Sequence, residues 1–543
     1  MSNKNSGNLA DRLEQLNAIG VALSAEKDIN RLLEFILLAA KKITHADAGT
    51  LYRVHDMQYL TFEIMRTVSL GFALGGTTGK PITLPPIQLY KEDGQPNNTA
   101  VAAYAVLQDK PVNIEDAYTA EGFDFTGTRF FDQKNNYRSQ SFLTVPMKNH
   151  ENEIIGVLQL INAQDPATGK IIPFSAEDQH LVESLASQAA IALTNRQLIN
   201  QLEELFESFI NLINLAIDDK SPYTGGHCQR VPVLTMLLAE AANRATSGPL
   251  ADFHMSEKDI YELKIAGMLH DCGKVTTPEY VVDKSSKLET IYNRIHTVDT
   301  RFEVLKRDAE IDMLRGKLAV LEQGDQGATA RLDEVYRERL QKLDADRDFV
   351  RLSNTGGEFM APEKQQRIRD IGAQRWRNEK GEDAPLLSED EITNLNIAKG
   401  TLTDAERQII NHHIVATIKM LEALPWPKHL KRVPEYAGGH HERMDGKGYP
   451  NGLTRDQMPV QARVMGIADI FEALTAKDRP YKPGKTLTEA LTILGRMKLD
   501  NHVDPDLFDV FIREKVYLKY GKEFLEPEQV DEVDESRIPG FTA

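Results

Sequence analysis

The chain has 543 residues, of which 41% are hydrophobic and 27% are charged, and its formal net charge is -17. A chain of this length is too long for one hydrophobic core and is expected to form several domains. The acidic balance argues against a nucleic-acid polymer as partner, because such binding needs a broad basic surface, but it allows a small anionic ligand in a local basic pocket.

The expected compartment is the cytoplasm. No apolar run reaches the roughly 20 residues that span a bilayer, and the polar start over residues 1–7 lacks the apolar core of a signal peptide. The two cysteines, Cys228 and Cys272, are too few for a disulfide framework, which fits a reducing environment. We therefore expect no association with a membrane.

The first third of the chain shows the pattern of a small α/β domain. Helical spacing of apolar residues predicts a helix over about 9–40, and alternation over 60–64 predicts a half-buried strand. Two apolar segments, 142–147 and 154–161, flank a polar turn and predict a hairpin whose second strand is central. A long helix is predicted from Ser175, where a serine cap precedes acidic residues.

This order of elements resembles the GAF domain, a small-ligand-binding and dimerising module of many bacterial signalling proteins, and is assigned to residues 8–180. Members that bind cyclic nucleotides often carry Asn-Lys, then Phe, then Asp-Glu. Here Asn162 is followed by Ala163, and Phe174 by Asp178-Gln179, so the match is partial. An unknown small ligand and a ligand-free dimerisation platform are both compatible with it.

A linking helix is predicted over residues 181–217. Its apolar residues follow the spacing of a coiled-coil seam, at Leu198, Leu202, Leu205, Phe209, Leu212 and Ala216. An upstream extension with polar interruptions consists of Leu181, Ser184, Gln188, Ile191 and Asn195. The stripe indicates a parallel two-stranded coil that joins a homodimer and carries a signal between domains; packing on its own domain is the alternative.

In the second half, polar residues occupy positions where core residues are expected. His227 shares a helical row with Val231, Leu234 and Leu238, so it should point inward. A predicted helix over 260–274 places His270 and Lys274 on its apolar stripe, with Asp271 just beside it. These groups would be costly to bury unless a metal ion or an anion satisfied them.

Three further segments add to this set. On the helix that begins near Thr401, periodicity places His413 inward and His412 at the periphery. His440 and His441 lie in a stretch rich in glycine and charge, which suits a loop site. Asp469 lies on the inward face of a helix over 463–475.

Five inward histidines and two carboxylates exceed what one tetrahedral zinc ion needs. Two metal ions that share a bridging carboxylate are the economical interpretation, with Asp271 as the bridge. The mixed nitrogen and oxygen ligands suit iron or manganese, and zinc is compatible. Such a pair of metals activates water and holds the oxygens of a phosphoester, so the residues predict phosphoester hydrolysis.

Several of these residues form recognisable motifs, namely the run His270-Asp271 with Gly273-Lys274, then His413, the stretch from His440 to Pro450, and Asp469 with the basic residues that follow it. Together these motifs resemble the HD-GYP family. These proteins are bacterial phosphodiesterases of cyclic di-GMP within the HD hydrolases. The resemblance covers 205–288 and 400–515. It implies an all-α catalytic domain over 218–288 and 400–520.

The resemblance also implies residue roles. One side of the metal cluster would consist of His227, His270, Asp271 and Asp469, and the other of His413, His440 and His441. Asp271 and Lys274 would be catalytic. Substrate contacts would come from Lys274, Gly448, Tyr449, Pro450, Arg479 and Lys482. Arg443 is a weaker candidate, because a solvated or structural role explains it nearly as well.

The chain departs from the family in two ways. Members with a third metal carry a glutamate where this chain has Tyr223, so two metal ions are expected. Residues 289–399 form an insertion, in which stripes over 291–309 and 332–343 predict a helical hairpin and 353–399 a more irregular part. Its dense charge indicates a solvated face or a contact with the GAF domain or a partner protein. Residues 521–543 are interpreted as an acidic tail.

The sequence therefore predicts a multidomain chain: an α/β GAF domain, a coiled-coil linker helix, and an all-α HD-type catalytic domain with a helical insertion. The predicted function is hydrolysis of cyclic di-GMP to pGpG, with further cleavage to GMP left open, under control of the GAF domain. Two alternatives remain, a catalytically weak cyclic di-GMP receptor and a phosphodiesterase for a mixed cyclic GMP-AMP.

Overall fold

The computed structural model describes residues 14, 17–220, 226–322, 327–356, 359–477 and 484–541. The chain divides into two compact units, with the division between Phe206 and Glu207. Within the described ranges, no helix combines the length and the apolar character needed to cross a membrane.

The first unit contains an antiparallel sheet. Its strands are β1 Ala46–His55, β2 Tyr59–Thr67, β3 Phe72–Gly75, β4 Ile87–Gln88, β5 Val112–Ile114, β6 Phe142–Lys148, β7 Ile154–Gln164 and β8 Ile171–Ile172. The main order is β3-β2-β1-β7-β6-β5, with β4 on β2 and β8 on β7. The predicted hairpin is β6 and β7, and β7 is central as expected, because it pairs with β1 on its other edge.

Helices cover this sheet, namely α1 Ile29–Thr44, α2 Val101–Leu107, α3 Thr126–Asn135 and the first part of α4 Ala176–Lys220. The largest core cluster joins Ile36 and Leu37 of α1, Leu158 of β7, and Leu185 and Ala189 of α4. The expectation of one helix over 9–40 was wrong. Residues 17–25 are helical, and a new helix begins after Asp28, whose side chain accepts a hydrogen bond from the Arg31 N–H.

The residues of the partial cyclic-nucleotide motif make internal contacts. The Asn162 side chain accepts a hydrogen bond from the Gln140 N–H and donates to the Arg138 carbonyl. Phe174 is buried in the core, and Asp178 bonds Ser175 at the start of α4. These contacts give the three side chains a structural role in the first unit.

The 45-residue helix α4 changes character along its length. Its N-terminal part packs on the sheet domain through Leu181, Leu185 and Leu193, so Leu181 belongs to the domain core rather than to a free seam. Downstream, the predicted seam is exposed, with Leu202 64% and Phe209 57% accessible. An apolar stripe of this kind is typical of a helix that pairs with another chain.

The second unit is helical. Outside the insertion it consists of the end of α4 and of α5 His227–Asn243, α6 Glu257–Leu269, α7 Glu279–Val282, α12 Asp404–Glu422, α13 Val433–Gly438, α14 Val460–Thr475, α15 Leu487–Leu499, α16 Pro505–Arg513 and α17 Val516–Phe524. The helix predicted through Lys274 ends earlier, at Leu269, and a 3-10 helix follows over Cys272–Thr276. The chain turns there because the Gly273 N–H donates to the Thr417 hydroxyl of α12 instead of continuing the helix.

The insertion contains the predicted helical hairpin, α8 Ile295–Glu322 and α9 Gly327–Asn354. Ile291 was wrongly placed on its apolar face, because it precedes α8 and is 96% exposed. The part expected to be irregular is ordered and contains α10 Pro362–Gly372, β9 Arg375–Arg377, β10 Asp383–Pro385 and α11 Glu389–Leu395. Phe302, Val350 and Leu386 contribute to a separate core that holds this part against the base of the hairpin.

The C-terminal segment is packed, contrary to its interpretation as a tail. Ile538 is buried, and the Gln529 side chain donates to the carbonyl oxygens of Thr475 and Lys485 at 2.9 and 3.0 Å. This segment therefore belongs to the helical unit.

Candidate metal centre

Two overlapping groups of metal-binding side chains lie at the centre of the helical unit. One consists of Asp271, His413, His440 and His441, and the other of His227, His270 and Asp271. Within each group, one ligand atom per residue lies within 4.8 Å of the others. Asp271 belongs to both groups, so the arrangement fits two adjacent metal ions that share one carboxylate.

The first group presents unsatisfied buried atoms. His413 Nε2 lies 3.2 Å from Asp271 Oδ1 and 3.2 Å from His441 Nε2. Among the described atoms, His440 Nε2 and Asp271 Oδ1 are buried and have no hydrogen-bond partner. Buried polar atoms without partners are costly, and a metal ion is a partner that both an imidazole nitrogen and a carboxylate oxygen accept.

The second group surrounds the other oxygen of Asp271. His227 Nε2 lies 3.1 Å from Asp271 Oδ2, 3.2 Å from Asp469 Oδ1 and 3.4 Å from His270 Nε2. Asp469 therefore adds a second carboxylate on this side, as the sequence predicted for its inward face. This donor set again fits a divalent ion with nitrogen and oxygen ligands.

Backbone contacts determine which ring nitrogen faces the centre. The Nδ1–H groups of His270, His413 and His440 each donate to the carbonyl oxygen three residues earlier. In the neutral form of each ring, Nε2 is then the nitrogen without a proton and can bind a metal ion. Such an outer hydrogen bond is the usual means by which proteins orient a metal-binding histidine.

The electrostatics favour the metal-binding protonation states of Asp271, His440 and His441. At His227, burial and Lys274 oppose the charge, but hydrogen bonds to three carboxylates hold the pKa well above its usual range. Burial, with the neighbouring His441 and His270, holds the pKa of His440 well below its usual range, and burial lowers the pKa of His441 to about 4. Burial alone would raise the pKa of Asp271, but Lys274 and the nearby histidines hold it well below its usual range. His440 and His441 are therefore neutral imidazoles near the ionised Asp271 carboxylate.

Gly273 permits the close approach of the two elements that carry His270 and His413. A Cβ atom at this position would collide with the His413 carbonyl oxygen and lie 2.6 Å from the Thr417 hydroxyl. Only glycine fits where the chain crosses α12 so closely. The glycine in the run His270-Asp271-Cys-Gly-Lys is thus explained by packing.

Glu472 is a functional candidate that the sequence did not single out. Its carboxylate, 1% exposed, accepts hydrogen bonds from His227 Nδ1 and from Arg230. It therefore orients His227 as backbone carbonyls orient the rings of His270, His413 and His440. Its spacing of three residues from Asp469 puts both carboxylates on one face of α14, which was the available signal.

We expect Glu472→Gln to lower the affinity for the metal ions by about 10- to 100-fold, because the amide cannot hold the imidazole as a carboxylate does. Isothermal titration of metal-free protein with Mn²⁺ measures this change. Glu514→Gln, at an exposed position, is the matched control and should bind as the unsubstituted protein does. Unchanged affinity in Glu472→Gln would contradict the positioning role.

Two predicted substrate contacts, Lys274 and Tyr449, lie against residues of the candidate metal centre. The Lys274 ammonium group pairs with Asp271 Oδ2, and the Tyr449 ring stacks on His441 with centroids 4.8 Å apart. Gly448, which precedes Pro450, packs so closely that a Cβ atom would collide with the Glu442 backbone.

Buried Glu442 holds this loop in place, since its carboxylate accepts hydrogen bonds from the Asn451 and Leu453 N–H groups. Arg443 makes two hydrogen bonds to Asp445, both of 3.0 Å, and donates to the Asp500 carbonyl. These contacts favour the structural explanation for Arg443. Three predicted positions, Tyr223, Arg479 and Lys482, lie outside the described residues.

Comparison with known families agrees with this division. The HD domain family matches residues 224–347, and a second HD domain family matches 388–507. The GAF domain family matches residues 28–193. Residues 28–193 therefore match a GAF domain, and two segments of the helical unit match HD domains. The histidines and aspartates of the cluster lie within those two segments.

Among curated proteins, 3'3'-cGAMP-specific phosphodiesterase 3 of Vibrio cholerae is 38% identical over 109 residues, which cover 20% of this chain and 23% of that protein. A cyclic di-GMP phosphodiesterase of Pseudomonas aeruginosa is 35% identical over 114 residues, 21% of this chain and 26% of that protein. The matched segment thus spans about a quarter of each relative. A solved GAF domain/HD domain protein from Geobacter sulfurreducens aligns with 32% of this chain and 98% of its own, with 16% identity and a TM-score of 0.22.

Proposed function

We propose that the chain hydrolyses cyclic di-GMP to the linear dinucleotide pGpG with the help of two divalent metal ions, iron or manganese. The observation that carries this proposal is Asp271, whose two oxygens face two separate groups of histidines. The relatives named as cyclic dinucleotide phosphodiesterases support it. In the reaction, water adds to one phosphorus and the bond between that phosphorus and the ribose 3' oxygen breaks. The 3' oxygen takes up a proton that the water loses.

Two ions held by the seven predicted ligands would supply an activated water and positive charge for the phosphodiester oxygens. Lys274 would stabilise the leaving oxygen. Burial opposes its charge, but Asp271 and Asp469 outweigh burial and raise the pKa of Lys274, so the side chain is a stable cation. Tyr449 offers an aromatic face beside His441 for a guanine base, and Arg479 and Lys482 remain predicted phosphate contacts.

Product analysis tests the proposal. Full-length protein loaded with Mn²⁺ or Fe²⁺ is incubated with cyclic di-GMP and, separately, with 3'3'-cGAMP, and the products are resolved by chromatography. Release of pGpG, with or without later GMP, together with two metal ions per chain supports it. Faster turnover of 3'3'-cGAMP would favour the mixed dinucleotide, which the Vibrio relative's name suggests. Binding of cyclic di-GMP without any release of pGpG would instead identify a receptor.

We further propose that α4 regulates the metal centre directly. Within the helical unit, the Asn214 side chain donates to the Met268 carbonyl at 2.8 Å, two residues before His270. The Asp218 carboxylate accepts a hydrogen bond from the Gly226 N–H, next to His227. Lys220 donates to the Val275 carbonyl, next to Lys274. A rotation of α4, driven by a ligand or by the dimer state of the GAF domain, would move all three segments.

Asn214→Ala is expected to change kcat by roughly 2- to 30-fold, the range for substitutions that alter coupling by 0.5–2 kcal/mol. The reason is that the Met268 carbonyl loses its only side-chain link to α4 among the described contacts. Asn211→Ala, one turn earlier and exposed, is the matched control and should leave kcat unchanged. Equal kcat values for the two variants would contradict a regulatory role of this contact.

We propose that the exposed seam of α4 joins two copies into a cytoplasmic homodimer. Leu205→Glu is expected to weaken that dimer by at least about 100-fold, because each copy would lose roughly 1.5–3 kcal/mol of apolar burial. Sedimentation velocity over a concentration series measures the change. Gln201→Glu adds the same charge beside the seam and serves as the control. A dimer that is unaffected by Leu205→Glu would place the interface elsewhere.

A further inference from the structure

The helix α8 of the insertion has two apolar faces. One is buried and contains Phe302, Leu305 and Ala309, which pack within the insertion. The other lies in the distal half of the helix and is exposed; it consists of Ile311 (43% accessible), Leu314 (50%), Leu318 (63%) and Leu321 (53%). The spacing of 3, 4 and 3 residues is that of a coiled-coil seam. We call these four residues the α8 stripe.

The partner helix α9 does not cover the α8 stripe. It approaches the opposite side of α8, where a Cβ atom on Gly316 would lie 3.3 Å from the Leu332 side chain. At 100° per residue, the stripe points roughly 180° away from the row that contains Leu305, Ala309 and Gly316. Four large apolar side chains are thus exposed on one face of a hairpin whose other face is already packed, which indicates a contact surface.

The charges beside the α8 stripe complement a second copy of the same stripe. With Ile311 and Leu318 at the a positions of a heptad, the g positions are Glu310 and Lys317, and the e positions one heptad further on are Arg315 and Glu322. In a parallel, in-register pair, each g residue faces the next e residue of the other helix. Glu310 would therefore face Arg315, and Lys317 would face Glu322, so both cross-helix pairs are of opposite charge.

The same charges oppose the antiparallel arrangement. If all four apolar layers are kept, antiparallel helices bring g beside g and e beside e. Lys317 would then approach Lys317 of the second copy, and Arg315 would approach Arg315. The parallel seam begins at Ile311. The preceding d position is the charged residue Arg307, and the preceding g and e residues, Glu303 and Asp308, carry like charges, so neither extends the pairing. Lys317 already contacts Asp333 of α9 at 2.6 Å. In the parallel pair it would share its charge between Asp333 and Glu322 of the second copy.

We propose that the α8 stripes of two copies of this chain pair as a short, parallel, in-register coiled coil. The contact is isologous and so compatible with a closed two-fold dimer. Four layers are too few to hold two free chains together, but the dimer proposed through α4 would raise the local concentration of one stripe near the other. The inference rests on that dimer and is independent of the proposed hydrolysis.

Site-directed cross-linking of the full-length chain tests the pairing. Leu314→Cys places a thiol at a d position, where the two copies of a parallel pair approach closely enough for a disulfide. We expect covalent dimer under mild oxidation, at least about tenfold more than with Ala319→Cys, an exposed position on the same helix that faces away from the stripe. The unsubstituted chain gives the background from Cys228 and Cys272, which are both buried.

The outcomes separate this contact from the α4 dimer. A chain that is dimeric by sedimentation but gives no more cross-linking with Leu314→Cys than with Ala319→Cys would overturn the α8 pairing alone. A monomeric chain without cross-linking would overturn both proposals. Mixed samples in which Leu314→Cys chains link to Leu318→Cys chains more than to themselves would show antiparallel pairing and overturn the parallel register.

Charge reversal tests the register itself. In the Leu314→Cys background, Arg315→Glu puts two carboxylates opposite each other and should reduce the cross-linked fraction about threefold or more. Adding Glu310→Arg restores the opposite charges in exchanged positions and should recover most of that loss. A double variant that cross-links no better than Arg315→Glu alone would overturn the in-register arrangement.

Discussion

Replacing Asp271 by alanine is expected to remove both metal ions and to lower turnover of cyclic di-GMP by at least roughly 1,000-fold. The reason is that one carboxylate faces both ligand groups, with Oδ1 3.2 Å from His413 Nε2 and Oδ2 3.1 Å from His227 Nε2. No other carboxylate occurs in both groups among the described residues. The measurements are elemental analysis of metal-loaded protein and chromatographic assay of pGpG.

A folding check and two further variants, Asp271→Asn and Asp252→Ala, separate loss of metal binding from loss of structure. Asp271→Ala leaves the Lys274 ammonium group buried without its carboxylate, so folding is checked by circular dichroism. Asp271→Asn keeps the shape of the side chain and should also lose metal, because an amide lacks the negative charge that two ions require. Asp252→Ala, at an exposed site of the same unit, should retain two ions and full activity. Near-normal turnover in Asp271→Ala would refute the shared-carboxylate site.

Lys274→Met is expected to lower kcat by about 100- to 10,000-fold while two metal ions per chain are retained. Lys274 is the cation nearest to the shared carboxylate among the described residues, yet it donates no atom to either ligand group. Methionine keeps most of the length and apolar character of the lysine side chain but removes the charge that would stabilise the leaving oxygen. The loss should therefore appear in the chemical step and not in metal content.

Lys447→Met is the matched control, since this lysine lies in the nearby loop with a side chain that is 79% exposed. It should change kcat by less than about twofold. Retention of full kcat in Lys274→Met would contradict the catalytic role. A parallel loss of metal would instead assign Lys274 to the stability of the ligand set, through its pairing with Asp271.

Helical periodicity was sufficient to find most of the residues that meet in the candidate metal centre. It placed His413 inward and His412 outward, and the structure buries His413 and exposes His412. It also placed Asp469 on the inner face of its helix, where its carboxylate lies 3.2 Å from His227. These predictions succeeded because a buried polar group is costly, so its position on an apolar face marks a site.

Periodicity was less reliable where tertiary contacts end a helix or begin another. The helix expected through Lys274 stops at Leu269, because the Gly273 N–H bonds the Thr417 hydroxyl of a distant segment. The helix expected over 9–40 is divided near Asp28, whose side chain caps the second part. Ile291 fitted an apolar stripe by spacing but precedes α8, so it is exposed.

The sequence by itself determined the domain classes, the residue types of the candidate metal centre and the inward direction of most of its proposed ligands, because these depend on local spacing and on the cost of burying polar groups. Only the tertiary structure decided that Asp271 is shared by two groups, that Glu472 orients His227 and that Arg443 is bound to Asp445. Each of these facts is a distance between side chains. His227 and Glu472 are 245 residues apart in the chain and meet only when α5 and α14 pack together.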